Sequence, residues 1–512
     1  MRLGSTVSVA LSGLVGTVIN VEAHIASGLP AFAISGLPDA ACAQSPNRVR
    51  AAAIVAGHPI RNDRITVNLS PSSIPKRGSS FDLPIACAIL AAQGVISSRR
   101  TARVAHLGEL GLDGTIRPVL GVLPSVLAAA RDGIGHVVVP RANAGEALLV
   151  DGVRVHSFDT LHSLIETYAR LDPEDFPDVD PAGVEPVATR EHGDLADVVG
   201  QDTARMALEI AAAGGHHLLL VGPPGAGKTM LAERLVTLLP RLSREEALGV
   251  MSVRSVLGEV SSDAALDVTP PFEAPHHSAS MAAIIGGGGG ASIRPGAVSR
   301  ADRGVLFLDE APEFKKDVLQ SLRQPLESGQ VVVARARESV TFPARFQLVL
   351  AANPCPCGMG FGKGLDCRCQ PRELRTYLAR LGGPLMDRVD LQIQVAPVSL
   401  AHLNGEPGES SADVAVRVDQ ARAQQQQRWA DLGVGLNSWV PGRVLRRGRF
   451  ALPRNQLVDL HKALDRGWLT LRGFDRCLRL SWTLCDLRGG TVPTREDIGV
   501  ALGLRGQGQV AA

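Results

Sequence analysis

Apolar residues follow two different spacings along this chain, and the spacing predicts both strands and helices in its first third. Short apolar or alternating runs, separated by glycine and proline, predict strands at residues 7–11, 15–24, 32–34, 64–69 and, as the last strand of this stretch, 137–140. Helical spacing predicts helices at residues 45–56 and 120–131, and residues 108–119 predict a hairpin. The pattern over residues 1–170 is therefore of the α+β type.

The chain changes character after residue 170. Residues 171–194 are rich in proline, aspartate and glutamate and have little periodicity, which is typical of a linker. In residues 195–398, five apolar runs alternate with helical segments, and this pattern predicts an α/β core with a parallel sheet. Residues 399–512 are mostly helical, with helices expected at residues 410–432, 455–465, 474–486 and 495–502. The sequence thus predicts three domains and one linker.

The most informative motif lies near the start of the α/β core. An apolar run at residues 216–221 is followed by GPPGAGKT and then by helical spacing, which is the strand, loop and helix context of a P-loop. Glycines let backbone amides turn toward phosphate oxygens, and the helix N-terminus adds favourable partial charge. Lys228 is expected to reach the β- and γ-phosphates of ATP, and Thr229 is expected to hold Mg²⁺. The predicted nucleotide-binding residues are Gly222, Pro223, Pro224, Gly225, Ala226, Gly227, Lys228 and Thr229.

Two later apolar runs end in polar residues that suit the same chemistry. GVLFLDE ends in Asp309 and Glu310, and LVLAAN ends in Asn353. Because the carboxyl ends of parallel strands face the ligand crevice, we expect Asp309 to hold Mg²⁺ and Glu310 to orient and deprotonate the attacking water. Asn353 is expected to hydrogen-bond that water or the γ-phosphate. The alternative is an asparagine that only begins a turn before Pro354.

Two arginines are candidates for compensating charge during phosphoryl transfer. Arg388, in LMDRVDL, lies far along the chain from the P-loop, so we expect it to act on the nucleotide of a neighbouring subunit. Arg472, in LRGF, opens a helix of the C-terminal region and is the candidate that acts within its own chain. For both residues, the alternative is an arginine in a surface ion pair.

Composition sets limits on the environment of the protein and on its partners. Among the 512 residues, 45% are hydrophobic and 20% are charged, and the formal net charge is +2, so any basic surface must be local. Four of the eight cysteines stand singly and four cluster, which fits a reducing cytoplasm better than a disulfide framework. No apolar stretch reaches the roughly 18 residues of a membrane span, and the N-terminus lacks the apolar region of a signal peptide. We therefore expect a cytoplasmic protein without membrane association.

Five motifs carry a resemblance to a known family, and in chain order they are GPPGAGKT, FLDEAPEF, LAANPCPCG, PLMDRVDL and TLRGFDRCLRLSWTLCDL. They resemble the AAA+ ATPases of the magnesium chelatase clade and, more closely, the bacterial ComM/YifB subfamily. The likeness extends to the first 170 residues and so covers nearly the whole chain. It implies an AAA+ core with a helical C-terminal lid and a ring, expected to be a hexamer. It also implies that Asn353 is sensor 1, that Arg388 acts in trans and that Arg472 is sensor 2.

The resemblance also implies a function. In ComM the family activity is ATP-driven helicase and branch-migration work on DNA during recombination of incoming strands, so DNA is the expected partner, with ATP and Mg²⁺ as cofactors. A chelatase-type motor subunit that works on a tetrapyrrole-carrying protein stays open, as does a regulatory switch without processive translocation. The Lon-like domain and the cysteine cluster described below favour the DNA motor, because both resemble marks of the subfamily.

Two segments of the core match insertions of the clade. Residues 271–296 lie where the clade inserts a loop into its second helix. They include His276 and His277, for which we expect a structural or interface role, because adjacent histidines cannot easily share one ion. Residues 331–344, VVVARARESVTFPA, predict a hairpin of the kind that projects into the ring pore in related motors.

The predicted hairpin supplies the candidate DNA contacts. Arg335 and Arg337 lie on one face of the strand by the period-2 rule, and both are expected to contact backbone phosphate. The alternative is that they are solvated charges or pair with Glu338. The basic segment 443–449 is the next candidate for DNA binding.

The first domain resembles the Lon protease fold (ribosomal protein S5 domain 2-like) through PKRGSSFDLPI and GELGLDGTIRPV. The resemblance places Ser80 at the nucleophile position and the lysine position near Leu123, where no lysine is found. The only lysine of this domain, Lys76, lies on the same loop as Ser80. Since a Ser-Lys dyad needs a lysine to activate the hydroxyl, we expect a non-proteolytic domain that binds DNA or a partner.

Four cysteines form a C-x-C-x9-C-x-C pattern, namely Cys355, Cys357, Cys367 and Cys369. Four thiolates suit tetrahedral Zn²⁺, although the one-residue spacing is tighter than the usual two. We expect about one structural zinc ion per chain, away from the ATP chemistry. The alternatives are unligated reduced thiols or a redox pair.

Overall fold

Two large sheets organise the chain, which the computed structural model describes over residues 2–179, 192–261, 265–288, 293–335, 338–361, 366–397 and 408–506. The first sheet has seven strands, in chain order Arg2–Ser12, Val15–Ala26, Ala31–Ser35, Arg64–Ser70, Val104–His106, His136–Pro140 and Arg154–Phe158. Numbered in chain order, they lie side by side as 3-4-2-1-5-6-7. The accompanying α-helices are Ala40–Ala43, Ser45–Val55, Asp82–Gln93, Ser98–Thr101, Val122–Arg131, Ala144–Leu148 and Leu161–Arg170. This is a mixed α/β arrangement.

One alanine-rich helix, Asp82–Gln93, forms the centre of the first core. Residues 82–92 are all buried, because the helix packs directly on the first two strands of the sheet. Gly4 permits this close approach, since a Cβ atom there would lie 2.1 Å from the carbonyl oxygen of Ala88. The small residues of the helix thus serve backbone-to-backbone packing.

The expectation that residues 137–140 form the last strand of this domain is wrong. Arg154–Phe158 follows and pairs in parallel with His136–Pro140 at the edge of the sheet. Its sequence, RVHSF, mixes polar and apolar residues, so its periodicity is weak. Beyond the final helix, Phe176 is buried in the same core, so this part of the acidic segment packs against the domain.

The second sheet is parallel throughout and has five strands, in chain order Leu218–Val221, Phe272–Glu273, Val305–Leu308, Gln347–Ala352 and Leu391–Gln394. Side by side, again numbered in chain order, they lie as 2-3-4-1-5. The sheet therefore has five parallel strands, as many as the sequence predicts, although one of them, Phe272–Glu273, lies in the segment expected to be a loop insertion. The α-helices between the first and last of these strands are Lys228–Thr237, Arg244–Leu257, Met281–Ile284, Ala297–Arg300, Lys316–Ser321, Arg323–Ser328, Pro371–Ala379 and Gly383–Met386, and Asp202–Gly214 precedes them.

The segment 271–296 differs from the expected helix insertion. It opens with Phe272–Glu273, which is the edge strand of the five-stranded sheet, and continues through a short helix into the strand pair Gly286–Gly287 and Arg294–Pro295. The residues after Glu273 therefore leave the sheet at its carboxyl edge, where a ligand crevice is expected.

The C-terminal helices are Ser411–Trp429, Gly442–Arg446, Val458–Asp465, Leu471–Leu487 and Arg495–Gly506. They surround a core of their own that includes Trp429 and Trp482. Buried polar contacts join this unit to the five-stranded sheet: His216 Nε2 lies 2.8 Å from Thr483 Oγ1, and Asp390 accepts a 2.8 Å hydrogen bond from Arg476. In the described part of the chain, every helix is too short or too polar to cross a lipid bilayer.

Candidate nucleotide site

The carboxyl ends of three adjacent strands bring the predicted nucleotide residues together. The strand Gln347–Ala352 lies between Val305–Leu308 and Leu218–Val221, and all three run in parallel. Asp309 and Glu310, Asn353 and the GPPGAGKT loop follow these strands directly. The parallel register therefore places all of them at one edge of the sheet.

The loop between Val221 and the following helix has the backbone of a phosphate cradle. Gly225 and Gly227 have φ angles of 76° and 83°, which favour glycine, and the helix begins at Lys228. Gly222 lies against the next strand, since a Cβ atom there would come within 2.4 Å of the Val395 carbonyl oxygen. The amides of this loop and the helix N-terminus suit an anionic phosphate.

The Lys228 side chain connects the loop to the neighbouring strand. Its ammonium donates hydrogen bonds to the carbonyls of Gly222 at 2.7 Å and Pro223 at 2.9 Å, and to Asn353 Oδ1 at 3.1 Å. Burial lowers the pKa of Lys228, while the charges of Asp309 and Glu310 oppose this shift. Lys228 and Asn353 thus share one polar centre.

A pair of oxygen donors lies beside this lysine. Thr229 Oγ1 donates to Asp309 Oδ2 at 3.2 Å, and the other Asp309 carboxylate oxygen accepts from the Glu310 amide at 2.9 Å. A hydroxyl and a carboxylate in contact are hard oxygen ligands of the kind that Mg²⁺ uses in nucleotide sites. The donor set therefore fits this cation.

Glu310 has an unusual backbone and a partner that the sequence analysis did not assign to it. Its φ of 49° and ψ of 42° are left-handed, a conformation that costs a non-glycine residue on the order of 1 kcal/mol and is found at functional sites. Its carboxylate lies 3.3 Å from His277 Nδ1. Because Glu273 pairs with Leu306, the segments that lead to His277 and to Glu310 leave the sheet at the same edge. The strand register was the signal that the sequence alone lacked.

Arg388 lies in a cluster of like charges. Its side chain is 5% exposed, and it donates to the Glu327 carboxylate and the Pro384 carbonyl, while its Nε has no hydrogen-bond partner in the described structure. Burial lowers the pKa of Arg388, and the nearby charges of Arg323, Arg472 and Arg476 add to this effect.

Arg472 lies in the same cluster. Its side chain is 64% exposed and faces Asp387 at 3.9 Å, one residue before Arg388. The two arginines predicted to serve different nucleotides are therefore close together.

The four clustered cysteines converge. The sulfur atoms of Cys355, Cys357, Cys367 and Cys369 all lie within 4.8 Å of one another. Cys355 Sγ also accepts a hydrogen bond from the Gly360 amide at 3.1 Å. Four sulfur atoms at this separation fit a tetrahedral thiolate site for Zn²⁺.

The expectation that this cluster lies away from the ATP chemistry is wrong. Cys355 follows Asn353 by two residues, and the turn that it begins packs on the P-loop. A Cβ atom on Gly358 would lie 2.8 Å from two ring carbons of Pro224. The cluster is joined to Asn353 by sequence and to the P-loop by the contact of Gly358 with Pro224.

The predicted hairpin is formed by Gln330–Arg335 and Glu338–Pro343. Val331, Val333, Val340 and Phe342 bury one face of it. Arg335, near the tip, is exposed and lies opposite Glu338 in the strand register. Arg337 lies outside the described residues.

These features define an AAA+-like P-loop ATPase, in which the residues predicted to hydrolyse ATP follow neighbouring parallel strands and the helical unit packs against the same sheet. Models of three families match the chain: "Magnesium chelatase, subunit ChlI" over residues 194–403, "Subunit ChlI of Mg-chelatase" over residues 21–143, and "Magnesium chelatase, subunit ChlI C-terminal" over residues 408–505.

Individual relatives match almost from end to end. An uncharacterized protein of Mycobacterium tuberculosis is 48% identical over 508 residues, which is 99% of each chain. Competence protein ComM of Haemophilus influenzae is 39% identical over 511 residues, covering 99% of this chain and 98% of the relative. YifB of Escherichia coli is 38% identical over 501 residues, covering 97% and 96%. The chain belongs to the ComM/YifB subfamily of magnesium chelatase-like ATPases.

Proposed function

We propose that this ATPase works as a ring, expected to be a hexamer, that moves DNA by helicase or branch-migration action in recombination or natural transformation. The observation that carries the proposal is the hairpin Gln330–Arg335 with Glu338–Pro343, which has a buried base and an exposed arginine near its tip. It lies in the chain between the strands that precede Asp309 and Asn353, so the hairpin is connected through both strands to the nucleotide site. The name of the Haemophilus relative, a competence protein, supports DNA as the substrate class.

The nucleotide residues have distinct roles in this proposal. Lys228 binds the β- and γ-phosphates, and Thr229 with Asp309 holds Mg²⁺, which supplies positive charge for phosphoryl transfer. Glu310 orients and deprotonates the attacking water, and Asn353 hydrogen-bonds the water or the γ-phosphate. The contacts among these side chains support a single site, because Lys228 reaches Asn353 and Thr229 reaches Asp309.

Arg388 completes the site of a neighbouring subunit in this proposal. A head-to-tail interface repeated around a closed ring puts one surface of each subunit against a different surface of the next. Arg388 and Arg323 together concentrate positive charge, which suits the γ-phosphate of a neighbour. Arg472 is proposed to act on the nucleotide of its own chain, as the sensor 2 assignment implies.

In this proposal the ring binds DNA through its phosphate backbone and does not recognise base sequence. Arg335 and Arg337 contact backbone phosphate, and six hairpins in one ring supply about twelve guanidinium groups. A contact that ignores base identity suits a motor that must move along any sequence.

Replacement of both hairpin arginines tests the proposal. Arg335→Ala with Arg337→Ala is expected to abolish DNA-stimulated ATPase and unwinding, to retain basal ATPase and assembly, and to make the salt dependence of DNA binding shallower. Arg454→Ala with Arg466→Ala removes the same charge from exposed positions of the C-terminal helical unit and serves as the control. Normal unwinding of branched DNA by the hairpin variant would contradict the proposal and direct attention to residues 443–449.

A chelatase-type motor acting on a protein partner is the second candidate. The observation in its favour is that all three matching family models describe the ChlI subunit of magnesium chelatase. The two functions differ in what stimulates hydrolysis. An ATPase rate that neither single-stranded nor branched DNA changes would favour a protein partner.

The cysteine cluster is proposed to bind one Zn²⁺ per chain. The convergence of four sulfur atoms supports this, because thiolate is the preferred zinc ligand in structural sites. Elemental analysis of the full chain purified without added zinc is expected to give about one zinc ion per chain. A negligible ratio would contradict the assignment. No disulfide joins any of the eight cysteines, all of which lie in the described part of the chain, and this supports a reducing cytoplasm as the location.

The division into domains is part of the proposal. Residues 1–170 form a non-proteolytic Lon-like domain, residues 171–194 a linker, residues 195–398 the AAA+ core and residues 399–512 the lid. Ser80 lines a cavity of about 430 Å³ between the first domain and the core, and the described residues around it include no lysine. Lys76 is buried and donates to the Pro71 carbonyl, so it does not supply the lysine of a Ser-Lys dyad. Peptide degradation that depends on Ser80 and ATP would overturn this assignment.

A further inference from the structure

The loop that carries the four cysteines returns to the nucleotide site at both ends. At its start, Cys355 follows Asn353, whose side chain accepts a hydrogen bond from Lys228. At its end, Cys369 is followed by the helix Pro371–Ala379. Tyr377, on this helix, is 4% exposed, and burial raises the pKa of its hydroxyl to about 12, while the nearby backbone of Asn353 acts in the opposite direction. The cluster therefore closes a loop whose two arms meet at one residue of the nucleotide site.

A third contact reaches the P-loop itself. The turn from Cys355 to Gly358 is closed by a 3.0 Å hydrogen bond from the Gly358 amide to the Cys355 carbonyl. Gly358 has a φ of 78° and presents its Cα to the ring of Pro224, with no room for a side chain. Pro224 lies in the middle of the phosphate-binding loop, so the position of this turn limits where that loop can move.

These contacts connect the metal site to the nucleotide site, so its effect extends beyond local folding. We propose that a Zn²⁺ ion held by Cys355, Cys357, Cys367 and Cys369 fixes the turn from Cys355 to Gly358 against Pro224, so that metal occupancy sets the affinity of the P-loop for nucleotide. The inference rests on the zinc binding proposed above. A metal ion that links the two ends of the loop reduces the number of conformations open to the loop. Its first ligand, Cys355, lies two residues after Asn353.

The first experiment removes the metal by mutation of the full chain. Cys357→Ser with Cys369→Ser is compared with Cys87→Ala, a buried cysteine in the first domain that serves as the control. Zinc content is measured by elemental analysis, and the dissociation constant of a fluorescent ATP analogue with Mg²⁺ is measured by titration. We expect the double variant to lose its zinc and to bind nucleotide about tenfold or more weakly, the scale seen when support around a functional site is removed. The control should match the original chain in both measurements.

The two assumptions fail in different ways. Absence of zinc from the original chain would overturn zinc binding and the coupling that depends on it. Loss of zinc with unchanged nucleotide affinity would overturn the coupling alone. Neither readout is the ATPase rate, so the test does not depend on assembly of the ring.

A second variant keeps all four thiols and disturbs only the contact. Gly358→Ala places a Cβ atom 2.8 Å from Pro224, while Gly57→Ala imposes the same left-handed strain, at a φ of 81°, with nothing within 4 Å of the new atom. We expect Gly358→Ala to retain zinc and to bind the ATP analogue more weakly than Gly57→Ala does. Equal nucleotide affinities in the two variants, with zinc retained, would show that the turn does not transmit metal occupancy to the P-loop.

Discussion

The assignment of Arg388 to a neighbouring nucleotide makes two opposite predictions for two residues in contact. Arg388→Ala should lower turnover by roughly 10³-fold with little change in nucleotide affinity, since this is the scale of other arginines that enter a site from a partner. Glu327→Gln should not lower turnover, because Glu327 holds the guanidinium within its own subunit. If Arg388 only stabilised the fold, both changes would break the same pair and both would reduce activity.

The structure sets the size of the second effect. A hydrogen bond to a charged group contributes about 1.5–3 kcal/mol when shielded, but the Glu327 side chain is 60% exposed, which reduces the value to about 1 kcal/mol. Removing that restraint raises the population of released Arg388 by about fivefold, because 1.4 kcal/mol corresponds to a factor of ten. Glu327→Gln is therefore expected to raise the rate by up to about fivefold if release of Arg388 limits turnover, and to leave it unchanged otherwise.

Steady-state ATPase assays at saturating Mg-ATP measure both variants, and mixing tests the trans assignment directly. When Arg388→Ala and Lys228→Ala chains are combined equally, about a quarter of head-to-tail interfaces pair an intact P-loop with an intact Arg388. Partial activity should then return, although neither variant is active alone. Confirmed mixing without recovery, or a Glu327→Gln variant as inactive as Arg388→Ala, would refute the reasoning.

Three further predictions concern the nucleotide site and the fold. Lys228→Ala should abolish hydrolysis, because it removes the cation expected on the β- and γ-phosphates, and measurable turnover would contradict this role. Glu310→Gln should bind ATP with near-normal affinity and turn over very slowly, trapping the assembled ring; fast turnover would remove Glu310 as the base. Asp390→Asn leaves Arg476 without its fully buried carboxylate partner and should cost about 3 kcal/mol, measured from the urea midpoint of tryptophan fluorescence, whereas a loss below about 1 kcal/mol would contradict the buried pair.

The same carboxylate gives a pH dependence with a definite sign. Burial acts to raise the pKa of Asp390, but the charge of Arg476 and the contacts with His216 and His217 outweigh it and hold the pKa well below its usual range. The stability that this shift contributes is therefore present above the unfolded pKa of about 3.9 and is lost as the pH falls through the lower folded value.

The sequence predicts those parts of the site in which a single motif contains all of the residues that form them. GPPGAGKT supplies its own turn, amides and lysine, and the apolar runs before Asp309 and Asn353 identify the strands that deliver them. Their meeting at one edge follows from parallel pairing. Strand Arg154–Phe158 was missed because edge strands of five residues with mixed polarity leave no clear period.

The remaining features depend on pairs of segments that no local pattern connects. His277 reaches Glu310 because Phe272–Glu273 pairs with Val305 and Leu306, 33 residues further along the chain, so that both segments leave the sheet at the same edge. Gly358 contacts Pro224 for a similar reason. The strand Gln347–Ala352 lies beside Leu218–Val221, so the turns that follow these two strands lie at the same edge of the sheet. A cysteine pattern in the sequence can indicate a metal site. The part of the protein that this site contacts is determined by strand pairing, which the cysteine pattern does not contain. In this chain the neighbour is the P-loop, which is why a zinc site expected to be remote has a direct physical route to nucleotide binding.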